Sequence, residues 1–404
     1  MTATATVDIA IFGGGVAGLW TLNRLRKLGL TAVLFETHLL GGAQTQHSQG
    51  IIHGGMKYAL QGILTQDAKA LASMPDRFHA CLAGVGEIDL SDVSVLSDRQ
   101  YLWSTNRFTG KLTGFMAQTA LRGQVERLQP ADYPTVFQDS AFKGEVYALA
   151  ETVLDVPSLV AQLSCDQPVY KIDAFGQEAF QFDQGHLRGM LLKSSEQTLQ
   201  VQAQSYIFTA GAGNEKILAA LPEKKVTMQR RPLHMVLVKM PFQHAIFGHC
   251  LGIGARPRMT ITSHRLPSGE WCWYLGGNIA EEGVKHTREA QILLARKELQ
   301  TLFPWLDFSG AEFATLTIDR AEAKHPQGLK PESSSVECMN NIILGWPTKL
   351  VLAPNLADEV IAYLNSQSIQ PRPTCLAPLF HWPRANQAKP IGEMYFAKTS
   401  LRSN

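Results

Sequence analysis

Two histidines, a lysine and a tyrosine fall within twelve residues, at His47, His53, Lys57 and Tyr58. Together they offer a base, a cation and a hydroxyl. That set suits removal of a proton from a small anion whose charge is held at the same time. Histidine titrates near working pH, which makes His53 the first candidate base and His47 the second. Gly54 and Gly55 lie inside the segment and carry no side chains, so the backbone there is free to lie close against a flat ring. A glycine turn with hydrogen-bonded polar residues on a surface would use the same residue types, and the segment alone leaves both readings open.

Chemistry of this kind needs a scaffold, and residues 7–36 supply a specific one. Val7, Ile9 and Ile11 alternate as in a buried strand and run into Gly13-x-Gly15-x-x-Gly18. Helical spacing follows at Leu19, Leu22, Leu25 and Leu28. A second strand, Ala32 to Phe35, then ends on Glu36, eighteen positions after Gly18. Strand, glycine pattern, helix and terminal acid in this order make the dinucleotide fingerprint. Gly13 permits the tight turn, Gly15 lets the backbone approach a pyrophosphate, and Gly18 lets the helix pack against the strand. The N–H groups and dipole at the helix start favour phosphate. Glu36 accepts hydrogen bonds from an adenosine ribose.

The bulk composition fits a folded protein of about two domains. The chain has 404 residues, 45% hydrophobic and 18% charged, enough for a sizeable core. A net charge of +2 with no basic run argues against nucleic acid as a partner. No stretch approaches the roughly 18 apolar residues of a membrane span. The N-terminus lacks the charged and apolar regions of a signal peptide. The cysteines (Cys81, Cys165, Cys250, Cys272, Cys338 and Cys375) are scattered, with no metal-like spacing. Reduced thiols in a cytoplasmic protein are expected, with peripheral attachment to the inner face of a membrane left open.

Further along, helical spacing runs from about Ile63 to Cys81, and residues 85–145 look strand-like, including 93–97, 100–104 and 111–116. Residues 144–163 read as a strand, a turn at Asp155–Pro157 and a helix. A short strand is expected at 168–173, further strands over 180–207, and a strand into a glycine turn at Ile207–Gly213. Residues 226–275 are β-rich. An amphipathic helix is expected over 287–303, a strand with a terminal loop over 342–354, and a helix over 357–364. The last thirty residues, rich in proline, look irregular and surface-lying. The expected fold is α/β (α+β), with a Rossmann-like dinucleotide-binding domain (1–80, 145–225 and 338–370) interleaved with a β-rich substrate domain (81–144 and 226–337). An irregular tail (371–404) follows. Interleaving places the substrate where the domains face each other.

Four segments in order resemble the FAD-dependent oxidoreductases of the D-amino-acid oxidase and glycerol-3-phosphate dehydrogenase superfamily: 13–36, 46–58, 207–213 and 345–354. His47, Gly50, Ile52, His53 and Gly55 are similar to the HNSGVIHAG stretch of L-2-hydroxyglutarate dehydrogenases and oxidases. Residues 53–58 (HGGMKY) resemble the HGGLRY stretch of glycerol-3-phosphate dehydrogenases, with Lys57 in place of arginine, which keeps the charge and loses the bidentate fork. Residues 207–213 resemble the AAGAW-type turn near the flavin, and 345–354 the late flavin loop, GGKLT in the relatives.

The resemblance implies FAD as cofactor. It implies a site built from Gly13, Gly15, Val16, Ala17, Gly18, Glu36, Thr37, Gln44, Thr45, Ser48, Gly54, Gly55, Val169, Ala210, Gly211, Gly345, Thr348, Lys349 and Leu350. It implies oxidation of a small anionic substrate at a CH–OH carbon, such as L-2-hydroxyglutarate or glycerol 3-phosphate, by hydride transfer to the flavin. Lys57, Tyr58, Lys349 and Arg320 are the anion-holding set and His53 or His47 the base. Lys349 beside the flavin would also stabilise the reduced ring. His234, His249, His264 and His286 carry no motif and are read as structural. Amine oxidation at CH–NH and a non-catalytic flavoprotein are the competing readings. Oxygen, a quinone or a carrier protein stays open as electron acceptor.

Overall fold

The strand expected at the start of the chain forms. It is β1 (Ala3–Phe12), in a computed structural model that describes residues 2–54, 71–105, 125–195, 197–222, 226–241, 243–251, 257–324 and 333–396. The helix α1 (Val16–Lys27) and the strand β2 (Ala32–Glu36) complete the first unit. β1 pairs in parallel with β2 on one side and with Gln197–Phe208 on the other. Central parallel strands are covered on both faces and read as continuous apolar runs. Ile9 and Ile11 accordingly pack on the side of α1, and Ala10 and Phe12 on the opposite side.

The sheet around β1 has eight strands among the described residues. Its main path runs Ser335–Met339, Ile342–Trp346, Gln197–Phe208, β1, β2 and Val169–Lys171. The hairpin of Phe180–Asp183 and His186–Ser194 continues from Gln197–Phe208. Helix α1 lies against the helices Val156–Ser164 and Ala353–Ser366. It buries Val16, Leu19, Trp20, Leu22 and Leu25, each side chain contributing about 1.5–3 kcal/mol.

A second sheet, also of eight strands among the described residues, runs Glu312–Ala323, Met228–Lys239, Trp271–Gly276, Met259–Arg265, Gly248–Cys250, Gln100–Ser104, Glu145–Leu149 and Val125–Arg127. The amphipathic helix forms at Arg288–Leu302. Thr287 caps it, its Oγ1 accepting from Ala290 N at 3.3 Å. Its buried face joins the core of Trp103, Val236, Val238, Trp273 and Phe303. Among the described residues no helix is long and apolar enough to cross a membrane. The six cysteines are free thiols.

Four stretches depart from the sequence expectations. Glu145–Leu149 was expected with the dinucleotide-binding segments, but it pairs with Gln100–Ser104 in the second sheet. Ser335–Met339 begins the return to the first sheet slightly before residue 338. The strand with its terminal loop forms as expected, the strand ending at Trp346, but the helix beyond starts at Ala353 rather than 357, because Pro354 suits a first helical turn.

The fourth departure is in the tail, which is largely irregular and exposed as expected but is pinned down by a few buried residues. Cys375 pairs with Thr6, Gln387 with Leu40 and Arg384 with Tyr170. Leu379 and Trp382 are buried against the first sheet, and the short helix Ile391–Phe396 packs on the second. Proline breaks periodicity without preventing burial, so pattern alone missed these contacts. The early part of the helix expected from Ile63 and the strand expected at 111–116 lie outside the described residues.

Candidate active site

The glycine loop between β1 and α1 is shaped by contacts that exclude side chains. Gly13 has φ +109°, and a Cβ there would stand 2.7 Å from the Ala210 backbone. A Cβ on Gly18 would overlap Gly13 O and come within 2.7 Å of Thr209 Oγ1. A Cβ on Gly15 would meet only Thr45 Oγ1, at 3.1 Å. The Val16 N–H in the first turn of α1 donates to Thr45 Oγ1 at 3.0 Å. Glu36 closes the other side of the loop, with Oε2 accepting from Gly14 N at 2.6 Å and Oε1 from His38 N at 2.7 Å.

A cavity of about 620 Å³ opens over this loop and extends to the second sheet. The expected residues Gly13, Gly15, Val16, Ala17, Glu36, Thr37, Gln44, Thr45, His47, Ser48, Ala210, Gly211, Arg320, Thr348, Lys349 and Leu350 line it. Gly18, His53, Gly54, Val169 and Gly345 do not. Gly18 packs helix on strand. Gly345 packs on the helix Ala353–Ser366, where a Cβ would come within 2.9 Å of Leu356 Cδ1. Val169 is buried in the strand beside β2.

The chain turns away from the cavity at Gly50 (φ +68°), so Ile51 bridges Val153 and Ile52 N donates to Thr152 O at 2.8 Å. His53 and Gly54 follow on this departing path, where Gly54 N donates to Glu151 Oε1 at 3.3 Å. The first-ranked base is therefore placed off the cavity wall and the second-ranked one on it. Gly55, Lys57 and Tyr58 lie outside the described residues.

His47 is held from two sides. Its Nδ1–H donates to Ala43 O at 2.7 Å. A carbonyl only accepts, so Nδ1 carries the proton of the neutral ring and Nε2 keeps a lone pair. Burial pushes the His47 pKa below its ordinary 6.5, partly opposed by the bond to Ala43. The hydroxyl of Tyr274, in the second sheet, donates to the His47 carbonyl at 3.0 Å. Gln49 Nε2 donates in turn to Tyr274 O at 3.1 Å. Opposing elements thus fix a neutral imidazole at the junction of the two sheets.

Arg320 reaches the same cavity from Glu312–Ala323. Its Nε donates to Arg231 O at 3.3 Å, and its Nη1 stands 3.5 Å from Glu281. Burial and the adjacent Arg231 charge pull its pKa down, and Glu281 and Glu322 oppose them. Thr348 sits at φ +57°, with its hydroxyl donating to Ser333 O at 3.0 Å and to Pro347 O at 2.7 Å. That conformation is one glycine adopts readily and a β-branched residue rarely does.

Sequence reasoning did not single out Gln49, Arg230, Leu233, Met235, Ile318 or Trp346, all of which line the cavity. Most come from strands whose apolar patterns signal only a core. The Gly41–Gly42 pair also lines it, and a glycine pair soon after β2 was a readable sign.

The cavity suits a flat, phosphate-bearing dinucleotide. Gly15 leaves room for close approach at the start of a helix, and a Cβ on Gly211 would meet nothing within 4 Å. Ser48 Oγ and Trp346 Nε1 are buried with no hydrogen-bond partner among the described residues. Residues 8–315 match the family model described as FAD dependent oxidoreductase, DAO.

The chain belongs to the DAO family of FAD-dependent oxidoreductases.

A probable FAD-dependent oxidoreductase of Pseudomonas aeruginosa, PA4991, is 44% identical over 402 residues, covering 98% of this chain and 100% of that protein. Its crystal structure matches with a TM-score of 0.82 at 38% identity, over 98% of this chain and 99% of that one. Glycine oxidase from Geobacillus kaustophilus matches with a TM-score of 0.61 at 15% identity, over 95% and 100% of the two chains. L-α-glycerophosphate oxidase from Mycoplasma pneumoniae, with FAD bound, gives 0.60 at 14% identity, over 89% and 95%. The last two show a shared fold. This DAO-family protein is an FAD-dependent enzyme, and the helix start, Glu36 and the glycine turns line one cavity.

Proposed function

We propose that the protein oxidises a small anionic substrate at a CH–OH carbon, a 2-hydroxy acid in the leading case. The observation that carries this reading is that His47 and Arg320 line one cavity with the dinucleotide loop. Arg320 holds the substrate carboxylate. Its planar fork suits that task better than an ammonium. His47 Nε2 takes the hydroxyl proton, since Nδ1 is committed to Ala43 O. FAD, when bound, would supply the hydride acceptor, and Lys349, which lines the cavity, would offset negative charge developing there. The product is the 2-oxo acid. Lys57 and Tyr58 keep their expected role in completing the anion-holding set.

Oxidation at CH–NH is the second reading. It is favoured by the position of His53 off the cavity wall, because a neutral amine needs no strong base. The test is anaerobic titration of the FAD-loaded protein with 2-hydroxy and 2-amino acids of matched side chain, followed in the flavin absorbance. Bleaching by the hydroxy acid supports the proposal. Bleaching by the amino acid alone transfers the site to the second reading. An intact flavin band with every member of both series overturns both.

A further inference from the structure

Arg231 and Arg320 stand directly opposite each other on the antiparallel strands Met228–Lys239 and Glu312–Ala323. Opposed residues share a sheet face, so the two guanidinium groups are neighbours. Each has its own carboxylate. Arg231 Nη2 donates to Glu322 Oε2 at 2.9 Å, and Arg320 Nη1 is 3.5 Å from Glu281 Oε1. Of these four charged residues only Arg320 lines the cavity. The next opposed pair on the same face is Leu233 and Ile318, with Met235 beyond, and all three line the cavity. This wall is therefore charge-balanced where the substrate anion would land and apolar alongside.

We propose that Glu281 sets the charge specificity of the site, making Arg320 a receptor for a monocarboxylate whose apolar side chain lies against Leu233, Met235 and Ile318. The inference rests on the reading that Arg320 holds the substrate. A monoanion meets one guanidinium whose charge Glu281 already shares. A dianion brings a second negative charge toward Glu281, or sets it against the apolar row, where the neighbouring lining cation, Arg230, is already paired with Glu215 and Asp319. Like charges at such separations oppose binding, and a buried unpaired charge is costly. The sequence expectation of 2-hydroxyglutarate or glycerol 3-phosphate, both dianionic, is thereby narrowed to 2-hydroxy monocarboxylates with a hydrocarbon side chain. Glu281 acts through Arg320 and is a positioning residue.

The test measures equilibrium binding of butyrate and of succinate to the FAD-loaded protein, through their perturbation of the flavin absorbance. Ionic strength is held constant, at a mildly alkaline pH where both acids are fully ionised. Wild-type protein is expected to favour butyrate by about tenfold or more, the scale of one unit charge a few ångströms away. Glu281→Gln should close that gap by about tenfold, and Glu281→Asp, which keeps the charge, should restore the preference. A merely structural role would move both affinities together and leave their ratio unchanged. Tighter binding of succinate by wild type, or an unaltered ratio in Glu281→Gln, overturns the proposal. Arg320→Met should lose both ligands. Unchanged butyrate binding in that variant, or no binding of either ligand by wild type, would instead refute the assignment of Arg320 as anchor.

Discussion

Replacing Gly18 by alanine tests whether the contact between α1 and β1 builds the dinucleotide site. The new Cβ would overlap Gly13 O and approach Thr209 Oγ1 to 2.7 Å, closer than real Cβ atoms come to other atoms. Neither neighbour can yield easily. Gly13 N is bound to Phe35 O at 2.9 Å, and Thr209 N to Phe12 O at 2.9 Å. The first turn of α1 must therefore retreat by about 1 Å, an overpacking that costs about 1–3 kcal/mol. Retreat also strains the Val16–Thr45 bond of 3.0 Å, worth about 1 kcal/mol. Alanine's better helix propensity returns up to about 1 kcal/mol. The net expectation is a loss of about 1–3 kcal/mol, read by urea unfolding of the FAD-free protein. FAD affinity, read by quenching of its fluorescence, should fall roughly ten- to a hundredfold, since each 1.4 kcal/mol is a factor of ten. Gly15→Ala is the contrast. Its Cβ meets only Thr45 Oγ1, so it should weaken FAD binding and leave apoprotein stability nearly unchanged. Apoprotein of Gly18→Ala as stable as wild type, with FAD affinity within threefold, would refute the packing argument.

Three further predictions rest on the geometry. In its proposed role as base His47 reacts in the neutral form, and burial lowers its pKa from 6.5. The rate of flavin reduction should therefore stay level as pH falls through 6.5 and decline only below it, and His47→Asn should lower the rate by about 10²–10⁴-fold and remove the decline. The same shift means the unfolded chain binds this proton more readily, so the fold loses stability as pH falls through 6.5 toward the folded value, which acid titration of unfolding would register. In the tail, Trp382 is 5% exposed and donates from Nε1 to Lys171 O at 2.9 Å. Trp382→Ala should cost about 3–5 kcal/mol in urea unfolding, whereas a surface-lying tail would lose less than about 0.5 kcal/mol.

The dinucleotide end was legible because its geometry is written in adjacent residues. A positive φ at Gly13, a close contact at Gly18 and an acid at the end of β2 all follow from a single local motif. The proposed substrate end is assembled from residues far apart in the chain. Periodicity cannot show that Arg320 faces Arg231 or that Glu281 reaches Arg320, because strand register decides both. Which of His47 and His53 lines the cavity depends on Gly50. Its left-handed turn sends the chain toward Thr152, and no feature of the histidines themselves signals that. The tail's buried residues were missed for the opposite reason, since its prolines mask burial that is anchored by isolated backbone bridges.

The most direct test of the account is the anaerobic, single-turnover reduction of the FAD-loaded protein by 2-hydroxybutyrate, with hydrogen or deuterium at C2. The account predicts complete bleaching of the flavin band, slowed severalfold by deuterium, and slowed much further in His47→Asn. An unbleached flavin at saturating 2-hydroxybutyrate, or an equal rate in His47→Asn, would contradict it.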